Sequence, residues 1–306
     1  PCFSDVFGQT LTELALENPR ICAITAAMQE GTGLTEFARK YPDRLFDVGI
    51  AEGHAVSMAG GMAKQGLVPV FAVYSSFLQR GYDQLLQDVA LDGLHVVLGV
   101  DRAGLVGADG ETHHGCFDAL YLSQVPHMTV LCPASFAELR QMLRRAVLEL
   151  TGPVAVRYPR GGEGAYQDCC GNETFTQVRP GADCTILTYG VLINEALAAA
   201  ELLHEAGVET RVVKLNAIAP LDGNAVLAAL GSEKRLLVLE DCVGSGCVGQ
   251  RLTAILAQRG RMPERLILKN LGDTIPCHGT VPQLYAQCGL DAASVAAALK
   301  EACHEQ

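Results

Sequence analysis

Short runs of consecutive apolar residues alternate along this chain with longer stretches in which apolar residues return every three or four positions. ICAITAAM, LFDVGI, VPVFAVYS, HVVLGVD, MTVLCPAS and PVAVRYP are short and rich in β-branched residues, and they predict strands. Between them, EGHAVSMAGGMAKQG and FLQRGYDQLLQDVAL carry apolar residues at helical spacing. After a polar stretch the rhythm returns, with CTILTYG, TRVVKLN, RLLVLED and RLILKNL as strands and NEALAAAELLHEAG and VGQRLTAILAQRG as helices. Strands that are hydrophobic almost throughout, separated by helices, imply parallel sheets covered on both faces. The predicted fold class is α/β, with two doubly wound domains, each a largely parallel sheet flanked by helices.

The polar stretch is RGGEGAYQDCCGNETFTQVRPGAD, Arg160–Asp183, with five glycines and little periodicity. Such composition suits a connection between domains. The expected division is a first domain over 1–165, a linker over 166–183 and a second domain over 184–306.

Composition narrows the classes. The 306 residues are 49% hydrophobic and 19% charged, which excludes a disordered chain and allows each domain its own core. No apolar run approaches the roughly 18 residues a membrane span needs, and the N-terminus has no secretory pattern, so a cytoplasmic protein is expected. The first residue is Pro1 and not Met, as in a fragment or a processed chain. A net charge of −11 disfavours nucleic acid and anionic membrane as partners. The twelve cysteines are scattered without a CxxC and read as reduced core thiols. Cys242, Cys247, Cys277 and His278 lack zinc-ligand spacing, so no metal site is assigned to them.

Ligands in open α/β sheets bind beyond the carboxyl ends of the strands, so polar residues there are the candidates for chemistry. Glu52 and His54 follow LFDVGI, and Phe77 and Arg80 follow VPVFAVYS. Arg102, Asp109 and His113 follow HVVLGVD, and Arg160 follows PVAVRYP. Each has a plainer reading. Glu52 could be a helix N-terminal acid favoured by the dipole, Phe77 a core ring, the arginines surface ion pairs, and Asp109 and His113 solvated loop residues.

AEGH, YSSFLQRGYDQ, DRAGLVGADGETHHG and RYPRG, in this order, resemble the pyrimidine-binding domain of the 1-deoxy-D-xylulose-5-phosphate synthase family. KLNAIAPLD, VLEDCVGSGCVG and IPCHGTVPQLYAQCGLD are similar to its transketolase-type C-terminal domain. The resemblance covers essentially the whole chain and implies the C-terminal half of a thiamine-diphosphate enzyme. It implies condensation of pyruvate with D-glyceraldehyde 3-phosphate to 1-deoxy-D-xylulose 5-phosphate and CO₂, a precursor for isoprenoids, thiamine and pyridoxal. By that resemblance Glu52 activates the cofactor at its aminopyrimidine, Phe77 stacks on that ring, and Tyr74 and Arg80 line the same pocket. Arg102 and Arg160 hold the substrate phosphate, to which a guanidinium fork is suited, while Asp109 and His113 bind the reacting part and handle protons.

In that family the diphosphate and Mg²⁺ sit on an N-terminal domain, expected here in cis or in trans; the isolated chain is expected to be nearly inactive. A homodimer is expected because closed two-fold pairs are the commonest soluble assembly, with Asp83, Gln84 and Asp88 at the helix and dimer interface. GADG at Gly107–Gly110 imitates the start of a metal motif but lacks the downstream Asn, and is not assigned as one. Gly53 stands where the family usually has Gln, leaving one pocket hydrogen bond open, and the His114 side chain is expected to point away from the site. Alternatives are the β subunit of a 2-oxoacid dehydrogenase, a split transketolase acting on ketose phosphates, and a non-catalytic assembly fragment.

Overall fold

The structure, a computed structural model, describes residues 1–232 and 234–304. The first half forms β1 (Ile21–Thr25), β2 (Leu45–Asp47), β3 (Val68–Tyr74), β4 (Val97–Asp101), β5 (Thr129–Leu131) and β6 (Val154–Arg157). The second forms β7 (Phe175–Arg179), β8 (Cys184–Tyr189), β9 (Thr210–Leu215), β10 (Ala217–Ala219), β11 (Arg235–Leu239) and β12 (Arg265–Lys269). One sheet runs β10-β5-β6-β4-β3-β1-β2 and the other β12-β11-β8-β9-β7, parallel throughout except for the pairings of β10 and β7. All ten strands predicted from the sequence are present. Where the sequence suggests a linker over 166–183, the chain makes the edge strand β7 and buries Tyr166 and Cys170.

The apolar strands bury both faces. Helices Phe3–Glu17 and Phe136–Leu148 cover one face of the first sheet, with Phe3, Phe7, Leu11, Leu139 and Leu143 packed on Val70 and Val97. On the other face, Ala55, Val56 and Ala59 of helix Glu52–Lys64 join Ile24, Phe71 and Val73 in a core that continues into Leu187, Val213 and Val238 of the second sheet. The two domains therefore share a core. The outer face of the second sheet is closed by helices Ile193–Glu205 and Ala292–His304 through Ala196, Leu203 and Leu299.

Buried ion pairs stitch the seam. Lys214 of β9 lies 3.0 Å from Glu138, both side chains fully buried. Glu138 also accepts hydrogen bonds from the Tyr166 hydroxyl (2.8 Å) and the Ala134 amide (2.8 Å). Arg157, at the end of β6, makes a two-pronged pair with Asp118 (2.9 and 3.1 Å) and approaches Asp241 of the second domain at 3.9 Å. No helix among the described residues is long and apolar enough to cross a membrane.

Candidate active site

Three strand ends and one helix start deliver the side chains. Tyr74 closes β3, and the turn into helix Ser75–Leu78 stacks Phe77 on it, with ring centroids 5.7 Å apart at 26°. Beyond β4, Arg102 takes the left-handed backbone conformation (φ 60°). Its guanidinium lies over the Tyr74 ring, 3.7 Å from the centroid, and donates to the Gly31 carbonyl at 3.1 Å. That approach needs glycine, because a Cβ on Gly31 would lie 1.8 Å from the Tyr74 hydroxyl.

The Asp109 carboxylate bridges the two expected phosphate ligands through Oδ2, 3.1 Å from Arg102 Nε and 3.0 Å from Arg160 Nε. His113 sets its ring edge-on to Phe77 (5.2 Å) and tilted to Tyr74 (6.4 Å), with Nδ1 2.9 Å from the Thr112 hydroxyl. Glu52, the first residue of its helix, is only 2% exposed. Its Oε1 receives Arg80 Nη1 at 2.6 Å, and the Arg80 guanidinium in turn lies 5.0 Å over Phe77. Glu52, Arg80, Phe77, His113, Tyr74, Arg102, Asp109 and Arg160 thus form one unbroken chain of contacts.

The wall holds one strongly perturbed group. Asp101, the last residue of β4, is fully buried, and burial pushes its carboxyl up to about 6 even though Arg102 (3.2 Å) and the Ser4 hydroxyl (2.6 Å) favour the charged form. Burial likewise raises the Tyr74 phenol. With flat rings beside a buried carboxylate and two arginines sharing one carboxylate, the cluster can hold a heteroaromatic ring at one end and an anion at the other. Arg80 takes only one oxygen of Glu52, whose Oε2 carries no hydrogen bond among the described residues.

His114 turns inward, its Nδ1 accepting the Val106 amide at 3.2 Å. Asp88 hydrogen-bonds the Ser57 hydroxyl, tying the helical run after Tyr74 to helix Glu52–Lys64. Beside Gly53 the space is taken by Gln84, whose amide atoms lie 3.1–3.2 Å from where a Cβ would stand; the Gln84 carbonyl oxygen is buried without a partner. An amide from the neighbouring helical run thus lies in tight contact with the place a side chain at residue 53 would enter. Cys242 lies against Glu240 and Tyr189, Cys247 near Asn270, Cys277 is exposed, and His278 reaches the Ala108 carbonyl. Among the described residues no three His, Cys, Asp or Glu side chains are grouped to hold a metal ion, and all twelve cysteines are free thiols.

A family model described as the transketolase pyrimidine-binding domain matches residues 2–162, and one for the transketolase C-terminal domain matches residues 174–295. The chain belongs to the transketolase family. This transketolase-family chain is 42% identical to the 1-deoxy-D-xylulose-5-phosphate synthase of Chlorobium luteolum and 44% to that of Chlorobaculum tepidum, each over 98% of its length. It is 45% identical to the synthase of Thermomicrobium roseum over 97%. In each case it spans about half the relative, 48% of its length. Among solved structures, a split-gene transketolase described as an inactive β4 tetramer superposes with a TM-score of 0.86 at 26% identity, covering 99% of this chain and 98% of that one. A transketolase from Pichia stipitis shares the fold at a TM-score of 0.82 and 15% identity, with 99% of this chain matching 46% of that one.

Proposed function

We propose that this chain is the C-terminal part of a thiamine-diphosphate-dependent 1-deoxy-D-xylulose-5-phosphate synthase, working in the cytoplasm on pyruvate and D-glyceraldehyde 3-phosphate. The observation that carries the proposal is the continuous cluster from Glu52 to Arg160 in a chain 42–45% identical to such synthases. The bound cofactor would supply the electron sink that decarboxylation and carbon–carbon bond formation require.

The chain's own residues set up that chemistry. Glu52, stripped of water, would meet the pyrimidine N1′ through its free Oε2 and share a proton there. Phe77 and Tyr74 would hold the ring by stacking, and Arg80 would keep the Glu52 carboxylate in place. Arg102 and Arg160 would take the phosphate of the aldehyde substrate in place of Asp109. A phosphate brings nearly twice the charge and three acceptor oxygens against one carboxylate, so the exchange favours substrate. Asp109, released, and His113 would then face the reacting carbonyl, where the imidazole can pass a proton. The diphosphate and Mg²⁺ would be held by an N-terminal domain, in cis or in trans, and the working unit would be a homodimer. Ile50, two residues before Glu52 and 81% exposed, is apolar surface that such a domain would cover.

The test is product formation from both substrates with cofactor and Mg²⁺, with and without a separately purified N-terminal domain of a synthase. Activity is expected only in the mixture. Glu52→Ala should abolish it without moving the melting temperature. Arg160→Ala should raise KM for glyceraldehyde 3-phosphate on the order of ten- to a hundred-fold, with little change for pyruvate, as loss of a charged hydrogen bond made to one substrate only. The split-gene transketolase neighbour supplies the rival reading. A mixture that uses ketose phosphates as donors and ignores pyruvate would establish it instead.

A further inference from the structure

The loop between Gly104 and Gly115 carries Asp109 and His113, and its own backbone secures it mainly at the base. Gly104 and Gly115 exchange two backbone hydrogen bonds there, 2.9 and 2.8 Å. Toward the tip the backbone bonds are short-range: Gly110 to the Gly107 carbonyl (2.9 Å) and His113 to the Gly110 carbonyl (3.1 Å). The second domain lies along the outside. His278 Nε2 is 3.1 Å from the Ala108 carbonyl, and since a carbonyl only accepts, that nitrogen donates.

Gly107 makes room for the segment Ile275–Val281, and Gly110 lies in ordinary contact with it. Gly107 has φ +66°, and a Cβ there would stand 3.1 Å from the Val281 amide nitrogen and 3.3 Å from the Gly279 carbonyl oxygen. A Cβ on Gly110 would stand 3.4 Å from the His278 ring. At the base, the Val243 amide donates to the Cys116 carbonyl at 3.1 Å, and the Asp241 carboxylate occupies the place of a Gly104 side chain. The buried His114 faces the backbone of Pro276 and Cys277, although its Nε2 makes no well-formed hydrogen bond.

We propose that segment Ile275–Val281 of the second domain seats the active-site loop, and that His278 is a positioning residue for Asp109 and His113. The Ala108 carbonyl and the Asp109 amide belong to one rigid peptide plane. Fixing that carbonyl therefore fixes the plane from which the Asp109 side chain leaves toward Arg102 and Arg160. His278 is exposed and its bond is replaceable by water, so its loss should move the loop more than the fold. The second domain thereby takes part in substrate recognition; this kinetic half rests on the function proposed above, whereas the seating itself does not.

Hydrogen–deuterium exchange on the whole chain tests the seating without any turnover. His278→Ala should speed exchange of the Gly110 and His113 amides several-fold while helix Glu52–Lys64 and the melting temperature stay unchanged. His278→Gln, whose side-chain amide can donate to the same carbonyl, should restore slow exchange. In the reconstituted mixture His278→Ala should lower kcat/KM for glyceraldehyde 3-phosphate several-fold, because Asp109 and His113 meet the reacting carbonyl, and His278→Gln should recover it. Exchange in the loop that ignores His278→Ala overturns the seating. Faster exchange with an unchanged kcat/KM overturns the role in recognition. An inactive mixture counts against the function proposed above, while the exchange result still decides the seating.

Discussion

Asp101 meets Arg102 at the end of β4, and its burial has a measurable sign. Its carboxyl titrates near 3.8 when exposed and at about 6 in the fold, with burial the main cause and Arg102 and Ser4 opposing it. The folded state therefore binds the proton more tightly, and stability falls as pH rises through the window from about 4 to 6. A rise of that size corresponds to a penalty of roughly 3 kcal/mol, absent below the window and fully present above it. Asp101→Asn keeps an acceptor for the Ser4 hydroxyl and removes the buried charge. Urea unfolding should show the variant more stable than its parent at pH 7.5, by at most that amount because Arg102 loses a counter-charge, with the gain vanishing near pH 4. A gain independent of pH would point to packing instead of charge. Asp101 also marks the reach of the sequence at this scale. Glu52, Arg80, Arg102, Asp109, His113 and Arg160 stand out as polar residues after apolar runs, whereas Tyr74 and Phe77 were picked out with the family's motifs. Asp101 was hidden as the last residue of an apolar run, Gly31 acts through a carbonyl and a missing side chain, and His278 meets the loop from 170 residues away.

At the scale of elements, strands buried on both faces were legible as apolar runs, and β7 and β10 were not. Phe175–Arg179 is a half-exposed edge with polar residues at Thr176 and Gln177, and Ala217–Ala219 is too short to show a period. Both owe their pairing to neighbours distant in sequence, through Leu215 on β9 and Leu131 on β5. The segment after Tyr74 was expected as one helix and instead changes winding, from α at Ser75–Leu78 through a 3₁₀ turn at Gln79–Gly81 to a π stretch at Leu85–Ala90. Periodicity reports which residues face inward, and Leu78, Leu85, Val89 and Ala90 all stay buried through the change of winding. Close packing of helix on strand is set by single glycines. A Cβ on Gly99 of β4 would fall 2.5 Å from the Phe7 ring, itself buried and stacked on Tyr158 at 5.3 Å. Gly99→Ala should therefore destabilise by about 1–3 kcal/mol through overpacking. Phe7→Leu should be less harmful in the Gly99→Ala background than alone, a coupling that a double-mutant cycle in urea would measure.

For the whole molecule, the shared core and the buried pairs at the seam pack the two domains together, and they are expected to unfold as one. Lys214 and Glu138 are both fully buried and 3.0 Å apart, with Tyr166 and the Ala134 amide completing the carboxylate's partners. Lys214 sits on the second sheet and Glu138 on a helix of the first domain, so each domain holds a charge that only the other neutralises. Removing one partner strands the other in a medium that solvates it poorly, and Lys214→Met is expected to cost about 3–5 kcal/mol. Lys214→Met with Glu138→Gln leaves no buried charge and keeps an amide for Tyr166 and Ala134, so the double variant should recover much of that loss. Unfolding followed by both a first-domain and a second-domain probe distinguishes the possibilities. Coincident transitions in the parent, shifted together by Lys214→Met, are what a shared core requires. A variant in which the second domain melts first while the first keeps its parent midpoint would mean that the seam is an ordinary contact between independent domains. The loop carrying Asp109 and His113 would then be only as steady as that contact, because its outer seat, Ile275–Val281, belongs to the domain that leaves.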